Sequence, residues 1–169
     1  MFQSLVSVDR TVTFHYDHPT EKVLALLLDP EFVTERSRAM GDSNIQVSVR
    51  RDGPRVVVVN QRDVQRDLPS FARKLFSPVN RVTETDTWDT AGEVATGTSQ
   101  VDVRGVPATI RATFELRPQA AGSEYRITYD IAVRVPLIGG KLESYTLEQT
   151  KLSLRKELEY TADRLRRAG

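Results

Sequence analysis

Cysteine is absent from this 169-residue chain, and histidine occurs only twice. Without cysteine the chain forms no disulfide framework, no thiolate metal site and no cysteine nucleophile. His15 and His18 are too few for a zinc site with three imidazole ligands. Their positions, at a predicted strand end and a predicted helix start, favour structural roles. We therefore expect no metal site.

The motifs of common nucleotide-binding enzymes and hydrolases are also missing. The chain has no Gly-x-Ser-x-Gly elbow, no Gly-x-Gly-x-x-Gly turn and no phosphate loop that ends in lysine. Each of these motifs places backbone N–H groups or a nucleophile where the chemistry requires them. The sequence therefore predicts no nucleotide cofactor and no serine-hydrolase activity.

Neither sign of charge dominates, since 24 Lys and Arg residues face 23 Asp and Glu residues, for a net charge of +1. Such a chain has no overall field to attract nucleic acid or anionic lipid. No apolar run approaches the roughly 20 residues of a membrane span, and residues 1–9 lack the layout of a signal peptide. We expect a cytoplasmic protein without a nucleic-acid partner or stable membrane insertion.

Alternating polar and apolar residues predict seven strands, each with one buried face. The strands cover residues 7–16, two segments around a turn at 51–54, and residues 82–89, 93–104, 108–117 and 124–135. The segment 68–78 is bracketed by prolines and predicts a loop or one helical turn. Its apolar residues Phe71, Leu75 and Phe76 could form a partner or dimer contact. The predicted core includes Phe14, Val47, Ile110, Phe114, Ile127, Ile131 and Leu158.

Three helices are predicted, two short and one long. Pro19 and Pro30 mark the starts of the short helices between the first two strands. After Gly139 and Gly140 no Pro or Gly occurs until Gly169, which predicts a C-terminal helix of about 27 residues. The two glycines are expected to supply positive φ angles or a close backbone approach. The helix carries two apolar stripes, one of Leu147, Leu154, Leu158 and Leu165 and one of Leu142, Tyr145 and Leu152. Its acidic residues Glu148, Glu157, Glu159 and Asp163 alternate with Lys and Arg, which predicts a solvated face.

This order of elements resembles the helix-grip fold of the START-like superfamily (SRPBCC), which includes birch-pollen-allergen-like proteins. Within it, the chain is similar to an uncharacterised bacterial family of unknown function. The resemblance is carried by Asp17-His18-Pro19, Trp88, Gly105-Val106-Pro107 and, above all, the run from Val135 to Glu143. It implies an α+β fold in which a curved, seven-stranded antiparallel sheet wraps around the long helix. Residues 1–169 would then form a single START-like domain with a cavity that, in relatives, holds a lipid, sterol or polyketide.

The resemblance implies no fixed catalytic residues, so candidates come from strand parity. Glu84, Asp86 and Trp88 share one face of the fourth strand. On the cavity face, a buried carboxyl with a raised pKa could act as an acid or a base. On the convex face the same carboxylates would be solvated, and alternation alone leaves both placements open.

A ligand-binding set is predicted on the same grounds. Asn60 and Arg62 could hold a polar group of a ligand, unless a twist turns that strand end toward water, and Tyr125 and Tyr129 lie on an apolar strand face. The full set is Asn60, Arg62, Trp88, Phe114, Tyr125, Tyr129, Leu142 and Tyr145. Because the predicted inner faces carry few polar atoms, long apolar molecules are the expected ligands.

The predicted function is therefore the binding of a hydrophobic small molecule by a monomer or homodimer without a cofactor. A cyclase- or dehydratase-type enzyme that uses Glu84 or Asp86 is one alternative, and a non-catalytic protein-interaction module is the other. The position of the carboxylates relative to the cavity distinguishes the enzyme from the binding protein.

Overall fold

The computed structural model describes residues 9–168 of the chain. Its elements follow one another as β1 (Thr11–Tyr16), α1 (Thr20–Leu27), α2 (Pro30–Ala39), β2 (Ser43–Asp52), β3 (Arg55–Gln65), β4 (Val79–Asp89), β5 (Ala95–Val103), β6 (Ala108–Gln119), β7 (Gly122–Val133) and α3 (Gly139–Ala168). A single 3-10 turn, Ala72–Lys74, lies between β3 and β4. The part of the first predicted strand before residue 9 lies outside the described residues.

The seven strands form one antiparallel sheet in the order β1-β7-β6-β5-β4-β3-β2. The sheet is curved, and the long helix α3 packs against it, with the two short helices between the first two strands. This confirms the predicted α+β helix-grip architecture. Because β1 pairs with β7, the first and the last strand of the chain are neighbours in the sheet.

Local signals explain where the helices begin. The side chain of Asp29 accepts a hydrogen bond from the Glu31 N–H at 3.0 Å, and Pro30 occupies the first position of α2. Pro19 precedes α1 as its N-cap. None of the helices within residues 9–168 combines the length and apolar composition that crossing a bilayer requires.

The two faces of the sheet differ in chemistry. A row of threonines crosses five adjacent strands on the convex face, formed by Thr87, Thr98, Thr113, Thr128 and Thr11. Threonine is favoured there because its branched side chain suits a strand and its hydroxyl meets water. The opposite parity, which includes Trp88, Phe114 and Ile127, faces α3. The structure thereby resolves the parity that alternation left open in β3 to β5.

Most of the predicted core is buried. Ile110, Phe114, Ile127, Ile131 and Leu158 are each exposed by 6% or less of their surface. Phe14 and Val47 are only half-buried, although both pack against the core. These two residues lie on β1 and β2, the edge strands of the sheet, where fewer neighbours cover a side chain.

The apolar residues between β3 and β4 pack against the start of α3. The ring of Phe71 lies edge-on to Tyr145 with centroids 5.4 Å apart, and the ammonium of Lys141 lies 4.2 Å from the Phe71 centroid. Leu75 and Phe76 are half-buried and pack against a buried cluster of Leu68, Ala72, Val133 and Leu142. The residues assigned to a possible partner contact therefore take part in internal packing.

The turn into α3 differs from the prediction. Neither Gly139 nor Gly140 has a positive φ, and the left-handed residue of this turn is Leu137, at φ 70°. A close approach does occur at Gly139, where a Cβ would lie 3.0 Å from the carbonyl oxygen of Val133. Glu143 reinforces this contact by accepting a hydrogen bond from the Val133 N–H at 2.9 Å.

Gly140→Ala is expected to stabilise the protein by about 0.5 kcal/mol, because alanine forms helix more readily than glycine. A Cβ at Gly140 would meet no atom within 4 Å. Gly139→Ala is the matched control, and it should give no gain because its Cβ presses on Val133. Thermal melts of both variants test this, and equal changes in melting temperature would show that the two positions are equivalent.

Candidate functional site

A cavity of about 190 Å³ lies between the concave face of the sheet and α3. It exists because side chains are small at the middle of the sheet floor. Val58, Asp86, Ser99, Ala112 and Tyr129 form one row across five strands, and Ser99 and Ala112 leave the space above β5 and β6 open. The volume corresponds to roughly six water molecules at about 30 Å³ each.

An aromatic cluster of Trp88, Phe114 and Tyr125 forms one end of the cavity wall. The Trp88 and Phe114 rings have centroids 4.3 Å apart, and Tyr125 stacks on Trp88 at 6.0 Å. Gly97 makes this packing possible, because a Cβ there would overlap both the Phe114 ring and the carbonyl oxygen of Thr87. The cluster supplies a rigid apolar surface with little side-chain entropy to lose on binding.

Arg62 anchors an ion-pair network in another part of the wall. Its guanidinium lies 2.8 Å from Glu84 Oε2 and 3.2 Å from Asp42 Oδ2. Burial lowers the pKa of Arg62, but the carboxylates of Glu84, Glu157 and Asp42 outweigh burial and hold the pKa above its ordinary value. Arg62 is therefore charged and already neutralised by its neighbours.

A second ion pair joins α2 to α3. Arg36 Nη2 lies 3.8 Å from Glu157 Oε2, and Arg36 Nη1 donates to Thr161 Oγ1 at 3.5 Å. Burial raises the pKa of Glu157, and Arg36 opposes this effect. The prediction that Glu157 belongs to a solvated helix face is wrong, because this carboxylate lines the cavity.

Asp86 differs from the other acidic residues of the cavity because no ion pair reaches it among the described residues. Its Oδ1 atom is buried and has no hydrogen-bond partner within residues 9–168. Burial, with a further contribution from the charge of Glu84, raises the pKa of Asp86 to about 8. The Ser99 hydroxyl acts in the opposite direction. A carboxyl in this environment exchanges a proton near neutral pH.

Asn60 and Thr146 also present unpaired polar atoms. Asn60, only 6% exposed, donates from Nδ2 to Ser37 Oγ at 2.9 Å, while its Oδ1 has no partner in the described part of the chain. Thr146 Oγ1 is buried and unpaired in the same way. Asn60, Asp86 and Thr146 all line the cavity. These three atoms are therefore available to hydrogen-bond with a molecule bound in the cavity.

The structure brings together nine of the ten residues singled out from the sequence. The residues that line the cavity are Asn60, Arg62, Glu84, Asp86, Trp88, Phe114, Tyr125, Tyr129 and Tyr145. Leu142 does not line it, so its assignment as a cavity residue is wrong. It lies in the first turn of α3, fully buried against Leu68, Ala72 and Val133.

Sequence reasoning missed the cavity face of α3. The wall contains Thr146, Thr150, Ser153 and Glu157, which lie between the two predicted apolar stripes, whereas Leu152 of the second stripe is 50% exposed. Small hydroxyl residues at helical spacing were the available signal, because a solvated helix face in this chain would carry Lys, Arg and Glu instead. Arg36 and Arg66 were missed because nothing local distinguishes them from surface arginines.

The expectation that few polar atoms face the cavity is also wrong. Six charged side chains line it, namely Arg36, Arg62, Arg66, Glu84, Asp86 and Glu157. The alternation pattern identified inward-facing Val, Ile, Phe and Tyr residues and grouped Asn60 with Arg62 and Glu84 with Asp86, but it could not show that these polar groups face the cavity together with Arg36, Arg66 and Glu157.

The geometry also limits the chemistry available at the site. Of the two candidate catalytic carboxylates, Glu84 forms an ion pair with Arg62, whereas Asp86 has no ion pair within residues 9–168 and is the better placed of the two for proton transfer. Burial raises the pKa of Tyr125 and of Tyr129 well above the ordinary value, so both hydroxyls keep their protons at neutral pH. No group of three or more His, Asp or Glu side chains within residues 9–168 is arranged to hold a metal ion.

Solved structures with the same fold come from several sources. The protein TTHA0849 from Thermus thermophilus is 15% identical, with a TM-score of 0.62 over 94% of this chain and 97% of that one. An uncharacterised protein from Rhizobium leguminosarum is 11% identical, with a TM-score of 0.58 over 91% and 93% of the two chains. Ara h 8.0201, which has the birch-pollen-allergen-like fold, is 10% identical, with a TM-score of 0.53 over 90% and 96%. At these identities the similarity shows the fold.

No curated protein is significantly similar to this chain in sequence. A family model described as "Protein of unknown function (DUF2505)" matches residues 11–165. This match spans nearly every element of the fold, from β1 to the last turns of α3. The chain therefore belongs to the DUF2505 family.

Proposed function

We propose that the protein binds a compact small molecule, with a ring-sized apolar body and at least one polar group, in the cavity between the sheet and α3. One observation carries this proposal: a partly open cavity of about 190 Å³ lies between the concave face of the sheet and α3. Protein interiors are close-packed, and voids of this size are rare unless they are occupied or used. The fold, which resembles that of known ligand-binding proteins, supports the proposal.

The volume favours a small ligand over a long one. Small-molecule sites usually occupy about 300–1,000 Å³, and this cavity is smaller at about 190 Å³. The proposed ligand is therefore a single-ring or short polyketide-like molecule rather than a lipid chain or a sterol.

Two parts of the cavity wall would recognise two parts of the ligand. Trp88, Phe114 and Tyr125 would cover the apolar body, which contributes about 25 cal/mol for each Å² removed from water. Asn60 and Asp86 would hold the polar group through their unpaired oxygens. Tyr129 and Tyr145 complete the wall from β7 and α3.

Trp88 is the only tryptophan of the chain, so its emission reports directly on the cavity wall. We expect titration with single-ring compounds of different polar groups to change this emission, with isothermal calorimetry as the independent measurement. Native mass spectrometry of protein purified from its own host should show a bound small mass. The absence of any co-purifying mass, together with no binding across such a panel, would contradict the function.

Ala112→Leu is expected to remove ligand binding and leave the fold intact. Ala112 forms the floor of the cavity, so a larger side chain there occupies the space of the ligand. Affinity should fall at least tenfold, while the melting temperature stays equal or rises because the new methyl groups fill a void. Thr113→Leu, on the convex face of the same strand, is the matched control and should bind normally. Normal affinity in Ala112→Leu would place the ligand elsewhere.

A further inference from the structure

The acidic and basic groups of the cavity do not balance one another locally. Arg62 forms ion pairs with Asp42 and Glu84, and Arg36 forms an ion pair with Glu157. Arg66 donates to Ser153 at 3.0 Å and lies eight residues along the chain from Val58, the ladder partner of Asp86. At about 3.3 Å per residue this separation is roughly 26 Å, too far for a direct contact. The charge of Arg36 lowers the pKa of Asp86, but no cation within residues 9–168 forms an ion pair with this carboxyl.

The second unpaired group lies close to Asp86. Asn60 pairs with Glu84 in the β3–β4 ladder, and Val58 pairs with Asp86, so Asn60 and Asp86 are diagonal neighbours on one face. Diagonal neighbours of this kind lie about 7–8 Å apart at their Cα atoms, within reach of one ligand group between them. Asn60 Oδ1 accepts hydrogen bonds only, and so does an ionised Asp86. Together they form a site for a donor that carries several N–H groups.

The aromatic cluster lies next to Asp86, on the side away from Asn60. Trp88 follows Asp86 on the same face of β4, and Phe114 and Tyr125 pack against Trp88. Aromatic faces attract cations as well as apolar surface. A positively charged group on a short linker to a ring would satisfy the acceptors and the aromatic surface at once.

We propose that the cavity selects an organic cation, a primary or secondary amine on a single aromatic or cyclic body, whose N–H groups donate to Asp86 and Asn60 while its ring packs on Trp88, Phe114 and Tyr125. This inference rests on the proposed small-molecule binding and names the chemical class of the ligand. The amine would form the ion pair that Asp86 lacks within residues 9–168.

Binding of such a cation requires the ionised form of Asp86, which makes the affinity depend on pH. The groups that face Asp86 from the surrounding elements are Glu84 on β4, Ser99 on β5, Arg36 on α2, Glu157 on α3, and Tyr125 and Tyr129 on β7. Since burial raises the pKa of Asp86 to about 8, an amine that binds below that pH must displace a proton from the carboxyl. The affinity for the amine should therefore rise from pH 6 to pH 8 and then level off.

The test compares three ligands that share one ring and one linker: 2-phenylethylamine, 2-phenylethanol and phenylacetate. Calorimetry at pH 7.5 should show that the amine binds at least tenfold more tightly than the alcohol, and that phenylacetate binds weakest, because a hydrogen-bonded charge pair is gained only with the amine. Calorimetry in buffers with different ionisation enthalpies should show proton release with the amine and none with the alcohol.

Variants locate the effect. Asp86→Asn should lower the affinity for the amine at least tenfold, change that for the alcohol by less than about threefold and abolish the pH dependence. Asp86→Ala serves as a second variant, with folding of both confirmed by thermal melts. Asp102→Asn, an exposed carboxylate on the opposite face of β5, is the matched control and should bind the amine normally.

The outcomes separate this inference from the function on which it rests. If the alcohol or phenylacetate binds as tightly as the amine, or if Asp86→Asn leaves the affinity for the amine unchanged, the amine assignment fails while small-molecule binding stands. If none of the three compounds binds and no mass co-purifies with the protein, both proposals fail.

Discussion

Phe114→Ala should lower the free energy of unfolding by about 3–5 kcal/mol, because it removes a buried ring and leaves a cavity that the surrounding strands cannot fill. Phe114 is 6% exposed and contacts both Trp88 and Tyr125, so its loss also disrupts the aromatic end of the ligand cavity. Urea denaturation monitored by Trp88 emission and by circular dichroism measures the change. A loss below 1 kcal/mol would contradict the packing described for β6.

Thr113→Ala is the matched control for this experiment. Thr113 is the next residue of β6 and belongs to the exposed threonine row, so its truncation should cost less than about 1 kcal/mol. Gly97→Ala provides a coupled measurement, because its Cβ would overlap the Phe114 ring. Part of the cost of Gly97→Ala should disappear in the Phe114→Ala background, and the remainder reflects the clash with the Thr87 carbonyl.

Asp86→Asn should make the protein markedly more stable than the wild type at alkaline pH while changing little near pH 5. In the folded protein, burial raises the pKa of Asp86 to about 8, from an ordinary value of 3.8. Between these two values the folded state holds a proton that the unfolded state has released, so the stability of the wild type falls as pH rises. The slope is about 1.4 kcal/mol per pH unit, which gives roughly 4 kcal/mol between pH 5 and pH 8.

Urea denaturation of both proteins from pH 5 to pH 9 tests this expectation. Burial also raises the pKa values of Glu157 and Asp42, but both groups remain in the variant, so the difference between the two curves reports Asp86 together with its electrostatic coupling to its neighbours. Asp102→Asn, on the convex face, should follow the wild type at every pH. Parallel curves for wild type and Asp86→Asn would show that Asp86 ionises in the folded state as easily as in the unfolded chain.

The predicted elements agree closely with the structure because their signals are local. The structure contains the strands β6 and β7 that alternation predicted and the two short helices that the prolines predicted. Each of these signals depends on neighbours a few residues away. The turn into α3 shows where local reasoning stops. Gly139 and Gly140 predicted positive φ angles or a close backbone approach; the left-handed residue is Leu137, and the close approach occurs at Gly139 against the Val133 carbonyl.

The candidate site also combines features that local sequence signals predicted with features that only the tertiary structure decided. Parity placed Glu84, Asp86 and Trp88 on one face of β4 and Asn60 with Arg62 on one face of β3, and the structure keeps both groups together. Which face met the cavity depended on the curvature of the sheet and on α3, which lies far along the chain. The pairing of Arg62 with Glu84 and Asp42, and of Arg36 with Glu157, joins different elements that no local pattern connects.

The sequence by itself therefore determined the strands, the helices, their order and the inward parity of most apolar residues, because hydrophobic periodicity and helix-start signals act over short distances. Only the tertiary structure decided that Leu142 packs away from the cavity, that Glu157 faces into it and that Asp86 is the cavity carboxyl without an ion pair in the described part of the chain. The physical reason is that charge balance and burial depend on what lies opposite a side chain across the fold. In this protein those opposing groups come from β3, β4, α2 and α3, which meet only when the sheet closes around the helix.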